Sequence, residues 1–454
     1  MSVKKVLIGL VVLCISIIPV SKAFGMQGFY GCFQNFSKHN VTFKVVKSSH
    51  VEHVSHMCWD KRFYIKADDW PFSTSYVNVQ FYVDGKKYAY FDVKIAYKGS
   101  HAELHGIDKS VAPDLVMYTD FARAPGKGSE DYWYVTFGPD ESHWMGEIAD
   151  TLQKIPISEV LLPGSHDSGT FDYDKHCEVS NTDHIPSWVV ELLKTADVAP
   201  LYEYLADVCR QQDMNFYDQL KHGIRYFDMR ICKGRDGKSI KFTHTMEGKI
   251  TLEEGIDQFK KFFEESGNEK EVILLDFQEM INVDLGRIFN IINSRLGKWL
   301  VPKEMGIKAR VGDIWAQNKN IILIFQQNYD NPNVWYRHNC FHNSANRTTD
   351  VNEAFGNMDN RIKNRNHDEM FCLGTNLTEQ PDDLIKGFLN PLGSSPKKAK
   401  QIDLHYHYAI HNWLIDHTDD LVKNGNAIHE NFSNGIWLTE LCKYINTLKA
   451  KNYN

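Results

Sequence analysis

The 454-residue chain lacks the features that mark several common protein classes. No two cysteines are separated by two residues, which argues against a zinc ribbon or a thioredoxin-like redox site. A net charge of −7 offers no bulk attraction to nucleic acid or to an anionic membrane, so we expect no nucleic-acid partner. An aromatic content of 13% argues against disorder, and the length suffices for two or three domains.

The amino terminus has the pattern of a secretory signal peptide. Lys4 and Lys5 precede an apolar run over residues 6–20, and Ser21-Lys22-Ala23 supplies the small residues of a cleavage site. The run is short for a bilayer span of about 20 residues, which favours a cleaved signal over an uncleaved anchor. No second apolar run of that length follows, and the carboxyl terminus lacks the hydrophobic tail of a lipid-anchor signal. We therefore expect residues 1–23 to be removed and the mature protein to be secreted.

Cysteines and glycosylation sequons agree with export. Removal of residues 1–23 leaves an even number of cysteines, which in an oxidising compartment predicts disulfides of undetermined pairing. These cysteines are Cys32, Cys58, Cys177, Cys209, Cys232, Cys340, Cys372 and Cys442. Sequons for asparagine-linked glycans, which are permissive evidence of the same kind, lie at Asn35, Asn40, Asn346, Asn376 and Asn431.

Residues 24–140 alternate apolar and polar residues with a period of two and predict an all-β domain, of the sandwich type. Strands are predicted at residues 41–46, 77–83, 88–93 and 132–137, and Asp84-Gly85 is a hairpin signal. Aromatic residues are frequent in these strands, but in strands they more often form a core than a ligand-binding surface. The sequence therefore assigns no role to this domain.

Residues 141–454 alternate apolar strands with amphipathic helices, which predicts an α/β domain with a mostly parallel sheet, open or closed into a barrel. Thr251 and Glu254 form a capping box that predicts the start of a helix. A buried strand is predicted next, at residues 271–277. The remaining predicted elements are a helix over residues 285–300, a strand over 320–325 and a last strand over 412–416.

Three segments place titratable residues at the ends of apolar strands. In residues 160–170 a strand breaks at Pro-Gly before a histidine and an aspartate, and in residues 223–230 an aspartate and an arginine share one strand face. Residues 240–246 form a third short strand that ends in histidine. Each feature alone is more often structural, but the coincidence of all three favours a common site, since reacting groups gather at strand carboxyl ends in α/β barrels. The titratable residues are His166, Asp167, Asp228, Arg230 and His244.

Residues 162–170, residues 223–230 and the strand ending at His244 closely resemble the X domain of phosphatidylinositol-specific phospholipase C. The resemblance is to the bacterial enzymes and to eukaryotic X domain-containing proteins, and it covers roughly residues 142 to 445. For this part of the chain it implies a distorted TIM-type (β/α) barrel, which follows the smaller all-β domain in the sequence. It also implies cleavage of a phosphodiester by attack of a neighbouring inositol hydroxyl. It also implies a phosphoinositide or related phosphodiester lipid as partner, with transient contact to a membrane surface.

The resemblance implies a role for each polar residue. One histidine can take a proton while another donates one, and a guanidinium suits the charge on phosphoryl oxygens better than an ammonium does. By motif matching, the general base is His166, the general acid is His244, the phosphate ligand is Arg230, its ordering partner is Asp228, the residue orienting His244 is Asp167, and the residue orienting His166 is Asp416 on the expected last strand.

Metal dependence divides this family. Arg230 stands where calcium-dependent relatives carry an acidic ligand, so we expect metal-independent chemistry and no cofactor. Two departures leave the headgroup open: Thr245 follows His244 where the family usually has glycine, and residues 275–279 lack the lysines of the bacterial enzymes. Phosphatidylinositol, a glycosylated inositol lipid and another phosphodiester all remain candidates.

Two other functions compete with this one. A metal-dependent phosphodiesterase of the glycerophosphodiesterase or sphingomyelinase D kind would need a Glu-x-Asp pair where this chain has Phe227, Asp228 and then Arg230. A non-catalytic secreted binding protein would not need an intact set of His, Asp and Arg residues. Two further histidine groups lack flanking cysteines or a carboxylate at a known spacing, which favours solvent-facing or structural roles over metal binding. They are His50, His53, His56 and His405, His407, His411.

Overall fold

The structure, a computed structural model, describes most of the chain beyond the predicted signal peptide, which lies outside the described residues. It describes residues 28–49, 51–54, 61–67, 74–96, 101–122, 131–174, 176–180, 199–378, 399–433 and 435–453. The chain divides into two compact units, residues 1–139 with 379–405 and residues 140–378 with 406–454. The first unit therefore includes a later segment that the predicted boundary at residue 140 did not assign to it.

The first unit contains two antiparallel-rich sheets. Its strands are β1 (Gly28–Asn35), β2 (Val41–Ser49), β3 (Val51–Val54), β4 (Arg62–Ala67), β5 (Thr74–Val83), β6 (Lys86–Ala96), β7 (His101–His105), β8 (Leu115–Ala122) and β9 (Asp131–Pro139). One sheet has the order β3-β4-β1-β9-β8 and the other the order β2-β5-β6-β7. The four predicted strands lie within β2, β5, β6 and β9.

Packing in the first unit follows from the alternation in its strands. Asp84 and Gly85 turn the β5–β6 hairpin with φ of 50° and 81°, the left-handed conformation that such two-residue turns require. The inward positions carry aromatic rings, and Phe33 contacts Phe81 and Trp133 at ring-centroid distances of 5.0 and 5.1 Å. These three rings are fully buried and form part of the core of this unit.

The second unit contains the remaining strands and the helices. Its strands are β10 (Leu162–Ser165), β11 (Tyr226–Lys233), β12 (Ile240–His244), β13 (Met246–Thr251), β14 (Ile273–Ile281), β15 (Ile321–Phe325), β16 (Trp335–Tyr336), β17 (Phe341–Ser344), β18 (Met370–Gly374) and β19 (Ala427–Glu430). The helices are α1 (Trp144–Glu147), α2 (Ala149–Leu152), α3 (Ala199–Cys209), α4 (Phe216–Lys221), α5 (Leu252–Glu264), α6 (Leu285–Leu296), α7 (Val311–Ala316), α8 (Arg337–Cys340), α9 (Val351–Lys363), α10 (Ala399–Asp416), α11 (Thr418–Asn424) and α12 (Ile436–Lys449). Residues 399–405 of α10 are assigned to the first unit.

Eight of these strands form one parallel path in the order β16-β15-β14-β11-β10-β19-β18-β17. The hairpin of β12 and β13 joins this path through an antiparallel pairing of β12 with β11. Within the described residues no pairing joins the end strands β16 and β17. The mixed α/β fold with a parallel sheet is thus confirmed, and this sheet has an open seam between two consecutive strands.

Local sequence explains most element boundaries in the second unit. The Thr251 hydroxyl accepts a hydrogen bond from the Glu254 backbone N–H, and the Glu254 carboxylate accepts one from the Thr251 N–H, so the predicted capping box starts α5. The predicted strand at 271–277 corresponds to β14, and that at 320–325 to β15. No helix among the described residues has the length and apolar content that a membrane span requires.

The predicted last strand at residues 412–416 is wrong. These residues form the end of helix α10, and the last strand is β19, eleven residues further along. A short apolar run such as Trp-Leu-Ile fits a buried helix face as well as a strand, and periodicity alone does not separate the two. The true strand is only four residues long and half polar, so it carries little signal of its own.

The cysteines and sequons give a different result from the one expected. No disulfide joins any two of the seven cysteines in the described part of the chain, and Cys58 lies outside it. Three sequon asparagines, Asn346, Asn376 and Asn431, are buried with at most 3% of their surface exposed. A glycan on any of these three would have no room in the folded chain, whereas Asn40 is exposed.

Candidate functional site

His166 lies in the turn that follows β10, at the carboxyl end of the parallel sheet. The Gln212 side-chain amide donates to the His166 carbonyl oxygen at 2.7 Å and to that of Glu430 at 3.0 Å, which fixes the turn against β19. Gly164 has no room for a side chain, since a Cβ atom would lie 2.8 Å from the carbonyl oxygen of Ile428. The Pro-Gly break in the sequence therefore permits β10 to pack closely between its neighbours before the turn begins.

The imidazole of His166 is held at both ring nitrogens. Its Nδ1 lies 2.8 Å from the side-chain oxygen of Asn431, and its Nε2 lies 3.1 Å from a terminal nitrogen of Arg230. Because the Asn431 oxygen only accepts hydrogen bonds, Nδ1 carries the proton, and the lone pair is left on Nε2. The ring is buried, and its basic nitrogen points at the guanidinium group.

Arg230 and two aspartates form the charged centre of the site. The Arg230 Nε lies 2.5 Å from Asp167 Oδ1, and a terminal nitrogen lies 3.2 Å from Asp228 Oδ2. Both carboxylates are buried, while part of the Arg230 side chain remains exposed. The pairing of β11 with β14 shifts register between Met229 and Arg230, where β14 carries one additional residue. Asp228 and Arg230 both meet the turn residue Asp167.

The pKa values of this centre follow from its charges. Burial by itself raises the pKa of Asp228, but Arg230 and His166 outweigh it and hold that pKa well below its usual range. Burial likewise opposes the charge on Arg230, and Asp167 and Asp228 raise its pKa above the ordinary value. Asp228 and Arg230 are therefore both charged at neutral pH.

His244 ends β12 on the other side of Asp167. Its Nδ1 donates to the carbonyl oxygen of Cys209 at 3.0 Å, and its Nε2 lies 3.6 Å from Asp167 Oδ2. Burial lowers the pKa of His244, against the opposing effect of Asp167. The ring therefore rests neutral, with Nε2 facing the same carboxylate that contacts Arg230. The group that orients the ring by a hydrogen bond is the backbone carbonyl of Cys209. A backbone contact of this kind cannot be identified from residue types in the sequence.

Thr245 explains one departure from the family pattern. Its backbone has a φ of 68°, in the left-handed region that glycine adopts freely and a β-branched residue rarely does. The turn after His244 thus requires the conformation that the family's usual glycine supplies. The Thr245 carbonyl accepts hydrogen bonds from the backbone N–H and the hydroxyl of Ser180, at 2.8 and 2.9 Å, which hold the strained turn in place.

Asp416 does not belong to the site, which corrects the sequence-based assignment. It is exposed at the carboxyl end of helix α10, because the segment expected to form the last strand is helical. The residue that hydrogen-bonds His166 Nδ1 is Asn431, which directly follows β19, and Asp167 Oδ2 lies 3.4 Å from the same nitrogen. The expectation that the partner of His166 comes from the last strand is sound, but the strand itself was misplaced.

A second polar group lies next to the charged centre. Asp276 on β14 accepts hydrogen bonds from the Tyr226 hydroxyl at 2.9 Å and from Arg337 Nε at 3.0 Å. The Arg337 guanidinium also lies 3.4 Å from the side-chain oxygen of Gln278. Burial raises the pKa of Asp276 to about 6 although Arg337 lowers it. Arg337 was not identified from the sequence, because it lies far along the chain from the segment that contains Asp276 and Gln278.

His166, Asp167 and Asp228 offer ligand atoms within 4.8 Å of one another. Such a set fits a metal ion poorly here, because the Arg230 guanidinium already pairs with both carboxylates at ion-pair distance. A divalent cation between them would have to displace this arginine. The donors also include only two carboxylates, fewer oxygens than calcium takes.

Comparison with known proteins agrees with the motifs. A scan against protein-family models finds no match. PI-PLC X domain-containing protein 3 of Danio rerio is 29% identical over 190 residues, which cover 40% of this chain and 56% of the relative. PI-PLC X domain-containing protein 1 of Danio rerio is 25% identical over 239 residues, covering 52% of this chain and 75% of the relative. For the Homo sapiens protein 3 the identity is 26% over 190 residues, with the same 40% and 56% coverage.

Solved structures of phosphatidylinositol-specific phospholipase C from Staphylococcus aureus are also similar. One has a TM-score of 0.45 at 14% identity and covers 67% of this chain and 97% of its own. Its F249X mutant has a TM-score of 0.42 at 15% identity, with 66% and 98% coverage. The chain spans little more than half the length of the first of the curated relatives. Its sequence is thus similar to those of PI-PLC X domain-containing proteins, which confirms the resemblance inferred from the motifs.

Proposed function

We propose that this protein is a phosphoric diester hydrolase or lyase that cleaves phosphatidylinositol or a related phosphodiester lipid by general acid–base catalysis. The observation that carries the proposal is the convergence of His166, Arg230 and His244 around one buried carboxylate, Asp167. The similarity to PI-PLC X domain-containing proteins supports the same class of reaction. On this proposal, the predicted signal peptide directs the protein out of the cell, where it contacts the lipid surface transiently.

In the proposed reaction His166 Nε2 removes the proton from the attacking hydroxyl. Asn431 keeps the proton of the neutral ring on Nδ1, so that Nε2 is the basic atom when substrate arrives. When the hydroxyl and the phosphodiester belong to one molecule, the attack is intramolecular and loses little entropy. This supports a substrate with a hydroxyl next to its phosphodiester, as inositol lipids have.

Arg230 and His244 act on the phosphoryl oxygens and on the leaving oxygen, respectively. The guanidinium compensates the charge that develops on the phosphoryl oxygens, and its two aspartate partners hold it in place. As the hydroxyl oxygen bonds to phosphorus, the bond between phosphorus and the leaving oxygen breaks, and His244, protonated on both ring nitrogens in the substrate complex, gives its Nε2 proton to that oxygen. The product of this step is a cyclic phosphodiester. Burial lowers the pKa of His244 in the free protein, and the negative charge of a bound phosphodiester raises it, so substrate binding favours the protonated acid.

The charge on Arg230 also argues for chemistry without a metal at this centre. The guanidinium occupies the space between Asp167 and Asp228 that a cation would need. The proposed mechanism accordingly predicts that calcium or magnesium, added back after chelation, does not raise the rate. A rise of tenfold or more would favour the metal-dependent alternative.

The test is hydrolysis of vesicles of phosphatidylinositol and of other phosphodiester lipids, with wild type compared with His166→Ala and His244→Ala. Each substitution should lower the rate by about 10²- to 10⁴-fold, the usual contribution of a general acid or base. His367→Ala is a matched control, since His367 is partly exposed and contacts Glu159 ahead of β10. Retained activity in both site variants, or no turnover of any diester by folded wild type, would contradict the proposal.

A further inference from the structure

Two histidines lie one helical turn apart on the buried face of helix α10. His407 and His411 are separated by four residues, so their side chains share a face of the helix. Their rings lie 3.7 Å apart between centroids, and 9% and 4% of the two residues are exposed. From the sequence, solvent-facing or structural roles were expected for these histidines, and their burial excludes the solvent-facing role.

Glu430, the last residue of β19, faces these histidines. Its Oε1 atom lies 3.3 Å from His411 Nε2, and ligand atoms of His407, His411 and Glu430 all lie within 4.8 Å of one another. Glu430 is 5% exposed, and the Ser433 hydroxyl hydrogen-bonds its carboxyl group. The chain thus buries one carboxylate and two imidazoles in contact at a single point.

Two of these atoms have unused bonding capacity. His411 Nε2 and Glu430 Oε1 make no hydrogen bond with any described residue, although each is buried. Buried polar atoms in native proteins are nearly always satisfied, so an unsatisfied pair that converges requires an explanation.

We propose that His407, His411 and Glu430 form a binding site for a transition-metal ion of the Zn²⁺ class. Two imidazoles and one carboxylate are donors that zinc accepts, while calcium and magnesium prefer oxygen ligands alone. Zinc–ligand distances of about 2.0–2.1 Å place tetrahedral ligand atoms about 3.3–3.4 Å apart, which matches the 3.3 Å between His411 Nε2 and Glu430 Oε1. Three protein donors leave the fourth position to water.

The site differs from the proposed catalytic centre and connects to it through β19. The backbone carbonyl of Glu430 accepts a hydrogen bond from the His166 N–H at 3.0 Å, and the next residue, Asn431, contacts His166 Nδ1. A metal bound here joins helix α10 to the end of β19 and holds the backbone that positions His166. Its role is therefore structural and positioning, and no step of hydrolysis passes through it.

The experiment measures metal content and coordination, which do not depend on hydrolysis. Full-length protein is stripped with chelator, loaded with Zn²⁺ or Co²⁺, dialysed, and assayed by elemental analysis and by the visible absorption of Co²⁺. The site variants are His411→Gln and Glu430→Gln, which keep most of the side-chain volume. The matched control is His417→Gln. His411 stacks on Trp437 at 3.5 Å, and His417 likewise stacks on Trp413 at 3.9 Å and lies 2.9 Å from one carboxylate, that of Asp359.

We expect wild type and His417→Gln to retain one Zn²⁺ per chain and to give the intense Co²⁺ bands of a four-coordinate site. Each of the two site variants should bind Zn²⁺ more than about 100-fold more weakly than wild type. This loss exceeds the roughly 10- to 100-fold loss expected when a residue that only hydrogen-bonds a metal ligand is removed. Zinc should raise the Tm of wild type and of His417→Gln, and leave that of the site variants unchanged.

Three results would overturn this proposal. They are wild type retaining no more Zn²⁺ than His411→Gln, a six-coordinate Co²⁺ spectrum, and loss of zinc from His417→Gln to the same degree. The proposed function is judged separately, since His166→Ala removes the candidate base and should still retain one Zn²⁺ per chain.

Discussion

Replacing Asn431 with leucine tests the arrangement around His166 most directly. The substitution removes the oxygen that accepts the Nδ1 proton at 2.8 Å and keeps a side chain of similar size in a buried position. A buried N–H left without an acceptor costs about 1–3 kcal/mol. That penalty disfavours the tautomer and ring orientation with a basic Nε2, and corresponds to about a 5- to 150-fold lower rate.

The assay is steady-state hydrolysis of phosphodiester vesicles at several pH values, with Tm measured for every variant. Asn431→Asp keeps an acceptor oxygen at the same place, so it should retain more activity than Asn431→Leu. Asp416→Ala, at an exposed position on helix α10, should leave the rate within about twofold of wild type. Activity of folded Asn431→Leu within twofold of wild type, or an equal loss in Asp416→Ala, would refute the reasoning.

Two further predictions concern the stability of the second unit. Arg225 is fully buried and contacts Glu271 at 2.7 Å, so Arg225→Met should lower the free energy of unfolding, measured in urea, by about 3–5 kcal/mol. Arg295→Met, at the more exposed pair with Asp257, should lower it by less than about 1 kcal/mol. Equal losses in the two variants would contradict the difference in burial between the pairs. The pKa of Asp276 is raised to about 6, so between pH 4 and 6 the native state binds a proton that the unfolded state has lost, and stability falls as pH rises. Asp276→Asn should remove this pH dependence. If the unfolding free energy of Asp276→Asn still falls between pH 4 and 6 as steeply as that of wild type, the pKa of Asp276 is not raised.

The structure also bears on the glycosylation sites and disulfides that were predicted from the sequence. Of the five sequon asparagines, three are buried, and one of these, Asn431, contacts the candidate base. A three-residue sequon reports only local sequence, whereas glycosylation needs an exposed asparagine in the folded chain. The expectation of disulfides has a similar origin, since an even cysteine count does not place any two thiols at bonding distance. Secretion stays a prediction that depends on residues 1–23.

The sequence by itself determined the elements with strong local signals. The capping box at Thr251, the hairpin at Asp84-Gly85 and the continuous apolar run of β14 each depend on residues close together in the chain. The candidate residues of the first two motifs were also visible, because His166, Asp167, Asp228 and Arg230 sit at fixed spacing beside strands. Such signals need no knowledge of distant contacts.

Only the tertiary structure decided which distant residues complete the site. Asn431 and the Cys209 carbonyl hold the two imidazoles, and neither belongs to a motif, because an amide or a backbone oxygen serves wherever the fold brings it. The error at Asp416 has the same cause, since a short apolar run fits helix and strand alike until packing selects one. The meeting of His407 and His411 with Glu430 also depends on how α10 packs against β19, a contact that no sequence spacing encodes.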